Sequence, residues 1–229
     1  VMATHRAQGN RVIYVDGENI VAAEGSWRES IPLRDIPITR NGQITFQVEN
    51  VMASIGAAWA SNLPWQTIRR GLAGFLNDSD NAPARFNVMD YKGATLIADY
   101  GHNPDAIRAL AQAVQAMPGK RRSVVISGAG DRRDQDIVEQ TRILGQYFDD
   151  VILYQDACQR GREDGEVLAL LKQGLEGAPR TTYSTEIHGE FLAIDHALER
   201  LHPGDLSLIL VDQVEESLAY LAKRCAEAK

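Results

Sequence analysis

The chain has 229 residues, of which 44% are hydrophobic and 24% charged, with a formal charge of −7 at pH 7; that is enough to bury the core of one large or two modest globular domains. The negative balance, with no Lys/Arg run longer than Lys120-Arg121-Arg122, argues against a nucleic-acid partner. No apolar run long enough to span a membrane, no signal-peptide pattern, and two cysteines 67 positions apart argue against a membrane, a zinc site and a disulfide framework, so the cytoplasm is the expected compartment.

Two domains are expected. The first 47 residues read as short strands and turns, with "RVIYVD" and "GENIVAAEG" alternating about Gly17, followed by a looser Pro-containing stretch that runs to "QITFQV". From Asn50 to Ala60, "NVMASIGAAWA" carries small and apolar residues on nearly every face, which predicts a helix buried all round and opened by Asn50. A second helix, "PWQTIRRGLAGFL", has Pro64 in its first turn. The polar, Pro-bearing "NDSDNAPA" places a domain boundary near residue 80.

Beyond it the pattern is regular. "RFNVMDYKGATLIADY" reads as a hairpin about Lys92-Gly93. Then follow a helix at 103–117, the strand "SVVISG", a helix at 134–147, the strand "DVILY", a helix at 165–175, a short strand near "TTYS", a helix at 187–201, the strand "LSLILV" and a last helix from 213. Strands alternating with helices imply βαβ units and a mostly parallel sheet covered on both faces: an α/β, Rossmann-like doubly wound domain.

Such sheets bind ligands outside the carboxyl ends of their strands, so the residues just after each strand are informative. In "DYGHNPDA", Gly101 permits a tight path and Asn103-Pro104 reads as an N-cap with a first-turn proline. Neither role needs Asp99 or His102, which are candidates for ribose hydroxyls and phosphates. "SGAGDRRD" has a Gly-x-Gly, but Arg133 stands where a dinucleotide loop needs its third glycine; Asp131 and Asp134 read as helix caps, and Arg132 and Arg133 as solvated side chains or phosphate contacts. "YQDACQRGREDGE" gathers Asp156, Arg160, Arg162, Glu163, Asp164 and Glu166; alone it reads as a solvated loop, and its position after a strand on the same edge as Asp99 makes these residues candidates for a charged ligand. In "VDQVEES", Asp212 reads as a helix cap.

"DYGHNPDAI" resembles the D-Y-x-H-N-P-D signature that opens the C-terminal domain of the Mur ligases, and "APARFNV" resembles their P-G-R-F segment, with Ala84 for the usual glycine. With "FQVENVMASIGAAWA" and "RGREDGE", the resemblance extends over essentially the whole chain and is closest to the cyanophycin synthetase family within that superfamily. It implies that residues 1–80 are the end of a central ATPase domain and 81–229 the C-terminal domain of an ATP- and Mg²⁺-dependent amide ligase. Such a ligase phosphorylates a carboxylate and lets an amine displace the phosphate. By motif, Asn50 falls on an adenine contact, Arg85 and Asp99 on ribose contacts, and His102 near the nucleotide. Arginine is the implied amine and an aspartate-containing polymer the acceptor, with a homo-oligomer as the usual assembly. The acidic edge at Asp156, Glu163, Asp164 and Glu166 suits a guanidinium. No G-K-[S/T] phosphate loop occurs in the 229 residues, so the chain reads as a fragment or truncated relative, inactive alone, with the Mg²⁺ site upstream. A non-catalytic nucleotide-binding or interaction module and, less well, a nicotinamide oxidoreductase are the competing classes.

Overall fold

The computed structural model describes residues 2–156 and 158–228. Ala157, in the charged junction, lies outside the described residues. The chain divides into two compact units, Val1–Leu76 and Asn77–Lys229.

The first unit opens with α1 (Met2–Ala7) and an antiparallel meander of β1 (Arg11–Asp16), β2 (Asn19–Glu24) and β3 (Trp27–Pro32). Gly17 and Gly25 take φ of 57° and 55° between the strands, where a side chain is disfavoured. Two one-turn 3₁₀ helices, Leu33–Asp35 and Pro37–Thr39, lead to α2 (Thr45–Ala60) and α3 (Trp65–Gly74). Ile20, Ala22 and Ile31 from the sheet pack with Val48, Val51, Ile55 and Trp59 of α2 and Ile68 of α3. Trp27, Trp59 and Trp65 close one side of this core with ring centroids 5.3–5.5 Å apart.

Two expectations are corrected here. "QITFQV" carries the first turn of α2, which starts at Thr45, so Asn50 is an exposed residue inside the helix and not its opening. Nor is α2 buried all round: its buried residues follow one stripe, Gln47, Val48, Val51, Ile55 and Trp59, and the small residues opposite stay at the surface. Ala and Gly are compatible with either environment, so apolarity there does not imply burial.

The second unit begins with the antiparallel hairpin β4 (Asn87–Tyr91) and β5 (Ala94–Asp99), whose turn places Lys92 and Gly93 at φ 52° and 80°. It continues as α4 (Pro104–Ala116), β6 (Arg122–Ile126), α5 (Asp134–Leu144), β7 (Asp150–Gln155), α6 (Glu166–Leu175), β8 (Tyr183–His188), α7 (Glu190–Arg200), β9 (Leu206–Leu210) and α8 (Val214–Glu227). The sheet order is β4-β5-β9-β6-β7-β8, parallel except for β4. The α/β, doubly wound expectation is met. β8 runs later and longer than "TTYS" suggests; as an edge strand it alternates half-buried and exposed positions and lacks the continuous apolar run of its neighbours.

Val125, Ile152, Tyr154 and Ile209 face Ala193, Ile194, Ala197 and Leu198 of α7 and Leu218 and Leu221 of α8. Alternate strand residues such as Val124, Val151 and Leu208 are equally buried, and α4, α5 and α6 pack side by side as their cover. Glu190, 3% exposed at the start of α7, caps α8: its carboxylate accepts from Asp212 N (3.0 Å), Gln213 N (3.1 Å) and Ser217 Oγ (2.6 Å). Replacing Glu190 with Ala leaves these donors unmatched inside the protein; urea unfolding should show a loss of roughly 2–4 kcal/mol, with Glu190→Gln recovering part of it.

Candidate functional site at the carboxyl edge of the sheet

β9 enters between β5 and β6, so the chain leaves β9 toward α8 on one face while β5 and β6 lead to α4 and α5 on the other. Strand exits diverge on both sides of β9, the arrangement that opens a crevice in such sheets. Asp212 follows β9 at that point. Its carboxylate lies 3.6 Å from His102 Nε2 of the β5–α4 loop and 2.9 Å from the Arg160 guanidinium of the β7–α6 loop. Arg160 also faces Asp131 at 3.7 Å and hydrogen-bonds the Tyr100 side chain.

His102 is set by its neighbours. Nδ1 lies 2.8 Å from the Tyr100 carbonyl, and the Tyr100 and His102 rings are 4.2 Å apart. A proton on Nδ1 satisfies that carbonyl, and Nε2 then pairs with Asp212 only through a further proton, on Nε2 or on the carboxyl. Burial pushes the Asp212 carboxyl above its ordinary range, and a hydrogen bond to Asp156, with the charge of that second carboxylate, pushes it further; Arg160 and His102 pull it back. Ser127, just past β6, is buried with no hydrogen-bond partner for its hydroxyl among the described residues.

The structure therefore brings together His102, Asp156 and Arg160 of the sequence candidates. Asp212, read from sequence as a cap, belongs with them, because Gln213 is the N-cap residue of α8 and Glu190 supplies the capping carboxylate. The available signal was positional: an aspartate directly after a strand on the edge that carries Asp99 and His102.

The other charged candidates are engaged locally. Arg162 donates to the carbonyls of Gly130 and Arg132 and to Asp134 (2.7 Å each) and to Glu166 (2.5 Å), clamping the loops after β6 and β7 together. Asp164 accepts from the Gln155 side chain, whose Oε1 accepts from Gly165 N at 3.0 Å. Glu163 is exposed, and its backbone N–H is 3.2 Å from Glu166. The Gly-x-Gly of the β6 loop serves packing: a Cβ at Gly130 would fall 2.1 Å from the Gln159 carbonyl, and one at Gly128 2.7 Å from Val167. Asp131 and Asp134 do not cap α5, whose N-cap residue is Arg133.

Of the nucleotide candidates, Arg85 is exposed, its guanidinium 5.9 Å over the Tyr100 ring. Asp99 is 7% exposed and accepts the Phe86 N–H at 2.8 Å. Asn50 stands in the first unit, where its amide donates to Gln47 at 3.2 Å. Among the described residues no three His, Cys, Asp or Glu side chains converge to hold a metal ion, and no helix is long and apolar enough to cross a membrane.

The family described as "Mur ligase, glutamate ligase domain" matches residues 84–210, more than half of the chain, and the chain belongs to this family of ATP-dependent ligases. Its similarity to cyanophycin synthetases is shown by two curated relatives, from Synechocystis sp. and Geminocystis herdmanii. Each is 31% identical, over 96% and 95% of this chain respectively, and the chain spans only about a quarter of their length, 25% in each case. An E. coli FolC structure in complex with ADP shares the fold at 21% identity, with a TM-score of 0.66 over 95% of this chain and 49% of that one.

Burial pushes the Asp99 carboxyl up to about 6 from an ordinary 3.8, against the hydrogen bonds of Phe86 and Gly101 and the Arg85 charge, which lower it. The folded chain thus holds this proton more tightly than the unfolded one. Its stabilising effect is complete below about pH 4 and is lost as the pH rises through about 6. We expect the stability of the wild type minus that of Asp99→Asn to fall by on the order of 2–3 kcal/mol between pH 4 and 7. Urea unfolding at stepped pH measures it; a difference independent of pH would contradict the assignment.

Proposed function

We propose that the chain is the C-terminal part of an ATP-dependent amide ligase of the cyanophycin synthetase kind, and that its sheet edge presents arginine to a phosphorylated aspartate side chain. The supporting observation is the cluster built by three loops around Asp212: His102, Asp156 and Arg160 set two carboxylates, a guanidinium and an imidazole side by side. An amino-acid substrate carries both charges, so Arg160 suits its carboxylate, and Asp156 with Asp212 suits its cationic groups. Within this reading the amine is recognised by Asp156 and Asp212 and much less by Glu163, Asp164 and Arg162, which face solvent or hold the loops.

On the nucleotide side, Arg85, His102 and Asp99 are proposed to serve ATP from the second unit and Asn50 from the first, each in the role its motif implies. The similarity to an ADP-bound FolC fold supports a nucleotide ligand. Mg²⁺ and the γ-phosphate are assigned to residues outside these 229, whose sequence contains no G-K-[S/T] loop. The aspartate-containing polymer and a homo-oligomeric, cytoplasmic assembly complete the reading. The alternative is a nucleotide-binding or interaction module without catalysis.

Calorimetry with L-arginine and with ADP tests the proposal. Asp212→Asn and Asp156→Asn should each weaken arginine binding about tenfold or more while leaving ADP binding within about twofold. Arginine binding that is indifferent to both would defeat the substrate assignment. The chain alone should release no phosphate from ATP in the presence of arginine and a β-Asp-Arg acceptor peptide.

A further inference from the structure

Asp156 and Asp212 follow strands that are not neighbours. β6 lies between β7 and β9 in the sheet, and Asp156 stands two residues beyond Tyr154 as Asp212 stands two residues beyond Leu210. Two half-buried carboxylates within hydrogen-bond reach of each other tend to move apart, so the frame has to fix their separation. The intervening strand does not reach far enough to do so. β6 ends at Ile126, and its pairing stops at Leu153 on one side and at Ile209 on the other.

Tyr154 spans the place that β6 has left. Its ring is fully buried, and its hydroxyl donates to the Leu210 carbonyl at 3.2 Å, a bond from β7 to β9 past the end of the strand between them. The phenol oxygen in turn receives a backbone hydrogen bond from Asp212. Burial raises the phenol well above its ordinary range, and the charges of Glu190, Asp212 and Asp156 raise it further, so the hydroxyl keeps its proton and stays a donor. The apolar cluster around the ring, with Ile152, Ile209 and Val211, would accept a phenylalanine equally well. What the hydroxyl adds is the tie to β9, whose other side is fixed by Val211 N–H to Asp99 O at 2.9 Å.

We propose that Tyr154 is a positioning residue for the ligand cluster: its hydroxyl ties the ends of β7 and β9 together and so holds Asp156 and Asp212 at the spacing that one cationic group can bridge. This rests on the reading above in which that pair receives the cation of an amino acid. Tyr154 itself is closed off from solvent and acts only through the two strand ends.

The test is Tyr154→Phe in the full 229-residue chain, alone and combined with Asp212→Asn, with L-arginine and ADP as calorimetric probes. Tyr154→Phe should weaken arginine binding about fivefold to tenfold, leave ADP within about twofold, and add little to the loss that Asp212→Asn already causes. Unchanged arginine affinity, or a loss that adds in full to that of Asp212→Asn, would overturn the inference. Carbon-13 NMR of the carboxyl groups gives a readout that a merely structural tyrosine would not move. With the tie gone the two carboxylates separate, and the midpoint of Asp212, which faces Asp156, Arg160 and His102, should fall toward the ordinary carboxylate range. If the wild type does not bind arginine, the amino-acid reading falls and the tie is judged by that midpoint alone; a midpoint equal in wild type and variant would refute it. Should Tyr154→Phe fail to fold, the wild type carrying carbon-13 at the tyrosine Cζ replaces it: the Tyr154 resonance should move as Asp212 titrates, and a resonance that stays in place would sink the proposal.

Discussion

The parallel ladders on either side of β9 are the constraint from which the rest of the second unit follows. Thr95 to Asp99 pair with Leu206 to Leu210, and Arg122 to Val125 pair with Leu206 to Ile209, so the last strand is locked between two formed more than eighty residues earlier. Without that insertion Asp212 would have no route to His102 and Arg160, which stand on the loops after β5 and β7 on either side of it. Val211 N donating to Asp99 O at 2.9 Å continues the ladder one residue beyond the strand and fixes where Asp212 emerges. Glu190 then holds the next two backbone amides, which frees the Asp212 side chain to face the edge. A long-range pairing and a buried cap together place one carboxylate.

The sheet's periodicity was legible because its causes are local. β6, β7 and β9 are buried on both faces and read as short apolar runs; Lys92-Gly93 and Asn103-Pro104 are turn and cap signals whose effect stays within four residues. The start of α2 was not legible because Ile44, its N-cap residue, offers no side-chain oxygen, so nothing in the sequence announces Thr45. Asp212 was misread for the opposite reason. An acid before a helix is a good cap by local rules, and only the tertiary placement of Glu190 takes that duty from it. Local chemistry gave the right residue and the wrong partner.

The charged run from Arg160 to Glu166 shows how little composition says about availability. By count it is an acidic loop suited to a cation. In the folded chain Arg162 ties Glu166 and Asp134 together, and Gln155 holds Asp164, so most of that charge stabilises the loop. What remains at the edge is Arg160, whose φ of 48° beside Gly161 at 91° turns it back toward Asp212 and Tyr100. The two glycines of the β6 loop belong to the same construction, since the Gln159 carbonyl can approach Gly130 only where there is no Cβ. Motif and charge run together form one clamp.

On the proposed reading, the opposite charges at the edge bear on which kind of ligand the cluster favours. Two carboxylates as close as Asp156 and Asp212 repel unless a proton or a cation stands with them; the Asp212 carboxyl is raised first by burial, then by its hydrogen bond to Asp156 and the charge of that second carboxylate. Arg160 relieves part of it, although its side chain remains 32% exposed and its charge is shared with Asp131. A ligand with only negative charge would meet the carboxylates unfavourably, and one with only positive charge would compete with Arg160 and leave it unpaired. A molecule that carries an ammonium or guanidinium together with a carboxylate satisfies both at once: its cation takes over the Asp156–Asp212 pair while its carboxylate receives the displaced Arg160. Charge balance at the cluster, more than its total acidity, is the reason to expect an amino acid there.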